Sequence, residues 1–487
     1  MKYISTRGGT QQCNFSKTLL YSVAKNGGYF YPETIPKISK SELESWKDFT
    51  YEQICTEVLS RFIDEETCPK DDLYNIICTS YSGFDTKERI PIKQIGNDFF
   101  AEFYHGPSLS DSDFPMQFLG NYLQYYVDHH IKDHKNEFNK IITVVIGSQS
   151  NSGPACLQAL KSKSELISCY ALYSSIDVRR VAEKEMINVM GTSVHCVHVV
   201  DACTCQILQS LEKMFLTHKF GEYQYLVSGN ALNWFRVLLE IPFYFYTYLK
   251  ASAIQKGHFS IATNTSNLTS VMAGIFAREM GLSYDHLLVS CKDDDPFVDF
   301  MTTGIFNFKS YATTTDPKGP SIKGNCQFNF ERLLYYLYND GGKVSTILQL
   351  NNPNIDHYTV DLHLIQKKLS FLYVKNISNE LSVEVSRECA KNKLYICPHT
   401  ASSLAVAQAY KKEHKNTKVI VFSLANCGKY PYHMATVLQS PPGTLVPSYI
   451  LNLNTVSTRK VSINYDYDEI ERYIFSSAWD SMKQYQN

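Results

Sequence analysis

The run His105-Gly106-Pro107-Ser108-Leu109-Ser110-Asp111-Ser112-Asp113-Phe114 sets a hydroxyl between two carboxylates. As a pair, Asp111 and Asp113 have the chemistry for proton transfer or for ligating a hard cation. The plainer reading makes them two aspartates of a polar loop, and it is preferred. His130 and His134 stand at helical i,i+4 spacing beside His129 and Asp133, a pattern that can ligate a metal. A solvated helix end before Lys135-Asn136-Glu137 explains them more simply. Asp293-Asp294-Asp295 fits a loop and helix start better than a cation site. Cys203-Thr204-Cys205 lacks a second suitably spaced pair for zinc. No metal site is expected.

The elements that must position such residues follow from apolar periodicity. Ser41-Glu42-Leu43-Glu44 predicts a capping-box helix start with Ser41 as the cap. Pro69-Lys70-Asp71-Asp72 opens another helix by the proline-first, acid-rich rule. Beyond about residue 92 the pattern becomes strands alternating with helices. Ile141-Ile142-Thr143-Val144-Val145-Ile146 is a continuous apolar run, as a parallel strand buried on both faces requires. It leads into the polar loop 147–153 and a helix over 154–160. The same grammar recurs at 259–263 with a helix over 271–280, and Val419-Ile420-Val421-Phe422 predicts one more buried strand. An α/β fold with largely parallel sheets follows, with ligands expected at the carboxyl ends of the strands. A charged helix over 466–483 is expected to close the chain.

Composition narrows the function. The 487 residues are 44% hydrophobic and 20% charged, with a net charge of −1. That is a globular balance with no global electrostatic case for nucleic acid or an anionic membrane. No apolar run approaches a membrane span, and the first residues carry no signal-peptide core. Fourteen cysteines without secretory targeting suggest free thiols in a reducing compartment. A cytoplasmic protein is expected.

The stretch 105–114 also resembles the cofactor-anchoring segment of the threonine synthase family, H-G-P-T-x-A-F-K-D-F. Ser5-Thr6-Arg7-Gly8, Asn26-Gly27-Gly28-Tyr29-Phe30 and Asn230 with Asn233-Trp234 and Arg236 also match family motifs. So do Phe330-Glu331-Arg332, Cys397-Pro398-His399-Thr400-Ala401 and Lys429-Tyr430-Pro431. The likeness spans nearly the whole chain and is closest to the threonine synthase-like 2 phospholyase branch. It implies a fold-type II architecture, tryptophan synthase β-like. A helical N-terminal domain (1–92) would be followed by two α/β subdomains (93–447) with pyridoxal 5′-phosphate in the cleft between them, and by a C-terminal helical extension (448–487).

At the positions that should touch cofactor and substrate the sequence departs from the family. Ser112 replaces the Schiff-base lysine, and a hydroxyl cannot form an imine. The glycine-rich phosphate cup aligns with Ala262-Thr263-Asn264-Thr265-Ser266-Asn267-Leu268, where neither glycine survives. Asn264 and Asn267 are the best non-glycine substitutes for a left-handed backbone. The substrate loop aligns with Ser148, Gln149, Ser150, Asn151, Ser152 and Gly153, without its first glycine and its aspartate. Ser174-Ser175-Ile176-Asp177 lacks two family cations, and Leu424 takes the place of a hydroxyl beside the pyridine nitrogen, with Ser423 adjacent.

The resemblance therefore leaves no catalytic residue intact. It gives Asn264, Thr265, Ser266, Asn267 and Leu424 as degenerate cofactor positions. The cleft set is Ser148, Ser150, Asn151, Ser152, Asn230, Arg236, His399 and Thr400, with a structural role favoured for Arg236, His399 and Thr400. The expectation is a degenerate threonine synthase-like protein without covalently held pyridoxal phosphate, serving a small-molecule or protein partner. The alternative is a pyridoxal-phosphate-dependent lyase acting on a phosphorylated amino acid such as O-phosphohomoserine. A third possibility is a new activity using Asp111, Asp113 and the hydroxyls of 148–152.

Overall fold

The apolar runs form the strands that their burial on two faces requires. The structure is a computed structural model that describes residues 1–486 except 10–11, 132–140, 218–223, 294, 308–327 and 349–356; the side chains of 266, 444 and 477–486 also lie outside the description. His134, Asp133 and Asp294 therefore fall outside the described residues.

An antiparallel ribbon of β1 (Tyr3–Ser5) and β2 (Phe30–Pro32) begins the chain, followed by β3 (Ile92–Ile95) and β4 (Asp98–Glu102). Four strands come next: β5 (Ile141–Gly147), β6 (Ile167–Tyr173), β7 (Val194–Val200) and β8 (Gln224–Ser228). Then come β9 (Phe259–Asn264), β10 (Leu287–Cys291), β11 (Ile305–Asn307), β12 (His357–Thr359) and β13 (Leu372–Asn376). The chain ends with β14 (Lys418–Ser423) and β15 (Val461–Asn464).

These strands build two main sheets. One has the order β13-β10-β9-β14-β4-β3 and is parallel except for the β3–β4 hairpin. The other, β15-β7-β6-β5-β8, is parallel throughout. Every residue of β5, β6, β9 and β10 is buried, and β5, β6 and β10 are largely apolar on both faces, whereas β9 also buries Ser260, Thr263 and Asn264. Helices Ser152–Leu160 and Thr269–Met280 follow β5 and β9 directly, giving the crossover units that parallel strands need.

Two motifs far apart in sequence meet inside the protein. The Arg7 guanidinium pairs with Glu331 at 2.8 Å, and Glu331 also accepts from the Thr6 hydroxyl and the Tyr29 N–H. Arg332 is fully buried and donates to the carbonyls of Phe30, Ala231 and Leu232 and to the Asn329 side chain. Asn233 donates to the Leu19 carbonyl at 2.9 Å, and Trp234 to the Tyr3 hydroxyl at 3.3 Å. A buried guanidinium is tolerable only when such partners satisfy it. These residues thus tie the first thirty residues to the middle of the chain.

Three local expectations differ from what is found. The helix Lys40–Ser45 is capped by Ser39, whose hydroxyl accepts the Glu42 N–H at 3.2 Å, so the cap lies two residues before Ser41. Within the mainly helical first 92 residues, β1 and β2 add a ribbon that the sequence reading did not include. The segment 448–487, expected to be helical, also supplies β15 beside β7 before its final helix, Tyr467–Gln486. Short exposed strands with one buried residue in four, as in β15, carry little periodic signal. No helix among the described residues is long and apolar enough to cross a membrane.

Candidate functional site

The carboxyl ends of β5, β8, β9 and β14, with the loop after β4, converge on a cavity of ≈ 120 Å³. Of the expected residues, Ser112, Ser148, Ser150, Asn151, Ser152, Asn230, Arg236, Asn264, Asn267, His399 and Leu424 all line it. Asp111 lines it as well, whereas Gly147, Gln149, Thr204, Leu208 and Phe328 complete the wall without having been singled out as site residues. Gly147 had one legible signal, its position at the carboxyl end of a buried strand.

Two expected residues turn away from the cavity. The Thr265 hydroxyl donates to Asp295 at 3.0 Å, and Asp295 in turn caps the helix Pro296–Thr303. Thr400 is fully buried and shares hydrogen bonds with Ser423 and Cys397, each at 3.1 Å. Ser423 is thereby committed to Thr400, and Leu424 is the residue that faces the cleft. The Ser266 side chain lies outside the described residues.

The 105–114 loop is held from within. Asp113 accepts the Ser108 N–H at 2.9 Å and the Ser110 N–H at 3.4 Å, and begins the helix Asp113–Tyr126. A Cβ on Gly106 would lie 2.6 Å from the Asp113 side chain, so only glycine fits that turn. His105 points elsewhere, bonding Asp85 and Glu102 at 3.0 Å each. Burial pushes Asp113 up to about 7, opposed by the Lys429 cation and the Ser108 donors. Asp113 is therefore a clamp on the loop, whereas Asp111 faces the cavity. The two carboxylates do not form a pair on the cleft.

The loop after β5 is similarly fixed. Asn230 accepts the Gly147 N–H at 3.0 Å and donates back to the Gly147 carbonyl at 2.9 Å. The Ser148 hydroxyl accepts the Gly153 N–H at 2.8 Å. Asp177, in the stretch that lacks the family cations, accepts from Thr204 (2.7 Å) and Gln149 (3.1 Å) and so fastens two cleft residues. A cation returns two positions later. Arg179 donates to the Asn151 side chain at 2.7 Å and lies 4.3 Å over the Tyr430 ring.

The cup after β9 keeps a left-handed turn without glycine. Asn267 and Leu268 have φ of 59° and 57°. Asn264, by contrast, stays in the strand. The Oδ1 atoms of Asn264 and Asn267 are buried and have no hydrogen-bond partner. Nε and Nη1 of Arg236 are also buried and unpartnered. Burial lowers the Arg236 pKa, opposed by Glu240 and Asp111. Burial also raises Glu240 to about 8 and Asp111 to about 6, the latter opposed by Arg236. His399 falls to about 3, through burial and then the nearby Arg179, Lys292 and His433. No group of three His, Cys, Asp or Glu side chains among the described residues could hold a metal ion.

Comparison with known proteins gives this geometry its context. Residues 2–81 match the family model described as threonine synthase N terminus. The chain is 27% identical over 465 residues to threonine synthase of Schizosaccharomyces pombe, covering 90% of each. Along nearly its whole length the chain is similar to the threonine synthases. It is also 24% identical over 468 residues to human threonine synthase-like 2, covering 94% of this chain and 93% of that one. Among solved structures, yeast threonine synthase superposes with a TM-score of 0.87 at 24% identity, covering 98% of this chain and 99% of that one. The pyridoxal-phosphate-bound threonine synthase of Brucella melitensis gives 0.85 at 22% identity with the same coverage. The fold is thus the threonine synthase fold, a fold-type II architecture with mixed α/β layers and parallel sheets. The threonine synthase motifs around Arg7, Glu331, Arg332, Asn233 and Trp234 serve this scaffold, as their contacts show.

Proposed function

We propose that this chain is a catalytically degenerate relative of the threonine synthases that keeps the cleft for binding and does not hold pyridoxal 5′-phosphate covalently. One observation carries the reading: the side chain lining the cleft where the 105–114 motif places the family lysine is Ser112. An alcohol cannot form the imine on which the family's chemistry begins.

The surrounding residues do not fit the cofactor either. Asn264 and Asn267 line the wall where a phosphate cup needs converging backbone N–H groups, and their side chains take up space there that glycines would leave open. The nearby Lys429 is not a substitute amine, because its ammonium is committed to Glu185 and the Ser108 carbonyl.

The competing reading, a pyridoxal-phosphate-dependent lyase for a phosphorylated amino acid, draws on the whole-length likeness to threonine synthases. A single preparation separates the two. Protein incubated with pyridoxal phosphate and desalted should show no visible aldimine band and no borohydride-fixed adduct. An adduct mapped to any lysine would overturn the degenerate reading. A binding role leaves two kinds of partner, a small molecule in the cleft or another protein.

A further inference from the structure

A second cavity, of ≈ 620 Å³, lies at the opposite end of the β13-β10-β9-β14-β4-β3 sheet from the cleft. It sits where β9, β10 and β14 begin and where the helices Thr269–Met280 and Pro398–Glu413 end, and it shares no lining residue with the cleft. Four stretches of chain each bring one basic side chain to its wall: His258, Arg278, His286 and His414. Among the described residues Asp285 is the one carboxylate that lines it, 3.7 Å from His258. The charged chain neighbours of these residues are committed or cationic. Glu413 accepts the Tyr373 hydroxyl at 3.0 Å, and Glu279 pairs with Lys37 at 3.3 Å. Lys418 donates to the Lys256 carbonyl, and the exposed Lys412 and Lys415 flank His414.

The imidazoles are held in a defined cluster. Burial raises the Tyr410 hydroxyl, which therefore keeps its proton and donates to His286 Nδ1 at 2.8 Å. Neutral His286 then carries its N–H at Nε2. The His414 ring stacks on Tyr410 at 4.2 Å and lies 6.2 Å from the His286 ring. Arg278 donates to the Tyr284 carbonyl at 2.5 Å and lies 4.6 Å over Phe371, which fixes the guanidinium in the wall. Burial lowers the His286 pKa, Asp285 opposes this, and the nearby His414 and Arg278 add to it. A charged imidazole here is thus short of negative partners.

The sign of the cavity turns on those imidazoles. Arg278 and Asp285 offset each other, and the two helix carboxyl ends each add roughly half a negative charge, so with neutral histidines the wall repels anions. Protonating the three imidazoles reverses the balance to roughly two positive charges. We propose that this cavity is a second binding site, for a phosphate monoester, and that it fills as its imidazoles gain protons. The three terminal oxygens of a phosphate can take several charged N–H donors at once, where a carboxylate offers two. The ≈ 620 Å³ also leaves room for the organic part of the ester. Between about pH 8 and 6 the ligand loses only roughly half a charge, since its second pKa is about 6, so the gain on the protein side decides. The site is independent of what the central cleft holds.

Calorimetric titration of the full chain with glycerol 3-phosphate is the test. At equal ionic strength it should bind at least about fivefold more tightly at about pH 6 than at about pH 8. Glycerol and acetate at the same concentrations should give no heat. Joint replacement His258→Asn and His414→Asn, at two exposed side chains, should weaken binding at the lower pH at least about threefold and leave the melting temperature at the higher pH unchanged. Imidazole resonances of the unaltered protein give a second readout, assigned by single His→Asn variants. The ligand should raise the titration midpoint of His286 by at least about 0.3 pH unit and leave that of His363, outside the cavity, where it was. Equal affinity at the two pH values, or binding untouched by the double variant, overturns the proposal and leaves the ester to the central cleft. If the double variant misfolds, the His286 midpoint decides, and an unmoved midpoint overturns the proposal.

Discussion

The Lys429 ammonium lies 2.9 Å from the Glu185 carboxylate in a site where the two side chains are 1% and 0% exposed. Lys429 also donates to the Ser108 carbonyl, which joins the ion pair to the 105–114 loop. Removing either partner strands a charge away from water. Lys429→Met or Glu185→Gln should therefore cost about 3–5 kcal/mol in urea unfolding, and the double variant should cost much less than the sum. Additive losses would show that the pair is not coupled.

His399 gives the stability a pH dependence of known sign. Its folded pKa of about 3 lies below the 6.5 of an ordinary histidine, so between those values the unfolded chain binds a proton that the native one does not. Stability present above pH 6.5 is lost as the pH falls. Relative to His399→Asn, the unaltered protein should lose about 2 kcal/mol between pH 7 and pH 5. His195 and His433, both lowered to about 4 by burial, leave part of the acid limb in the variant. Parallel stability curves for the two proteins would refute the assignment.

The Gly106 turn is predicted to be intolerant. Because a Cβ there meets Asp113 at 2.6 Å, Gly106→Ala should lower stability by about 1–3 kcal/mol. Gly83, with nothing within 4 Å of its Cβ position, is the control, and Gly83→Ala should melt close to the unaltered protein. Equal melting temperatures for the two variants would mean that the clamp yields freely.

Restoring the lysine should not by itself restore the cofactor. Ser112→Lys alone is expected to retain no pyridoxal phosphate after desalting, because Asn264 and Asn267 still line the cup. Adding Asn264→Gly and Asn267→Gly removes both side chains and frees the left-handed turn at 267. The triple variant is the one expected to show an aldimine band. Tight binding by Ser112→Lys alone would mean that the cup still accepts phosphate.

The long buried strands were legible because a parallel strand covered on both faces must be apolar throughout, as 141–146 and 419–422 are. The cleft membership of Ser112, Asn151 and Arg236 followed from motif register, since polar loops at strand ends have only one place to go. What stayed hidden depended on side-chain direction. Thr265 and Thr400 lie beside cleft residues in sequence, but one step past the end of β9 turns Thr265 to the other face, and one step along the helix Pro398–Glu413 turns Thr400 away from His399. Arg179 was missed because it returns a cation two positions beyond the stretch that lost it. β15 was missed because an edge strand with three exposed residues has almost no apolar signature.

The place of β14 has a consequence for how this protein is made. Residues 418–423 are inserted between β9 and β4, so a strand from the last sixth of the chain joins two that precede it by more than 150 and 300 residues. During synthesis, the emerging chain holds two open parallel edges until that strand leaves the ribosome. Pairings of such long sequence separation form slowly, and open edges invite wrong partners. A translation pause or premature stop shortly before residue 418 would leave a product prone to aggregate rather than a shorter folded protein.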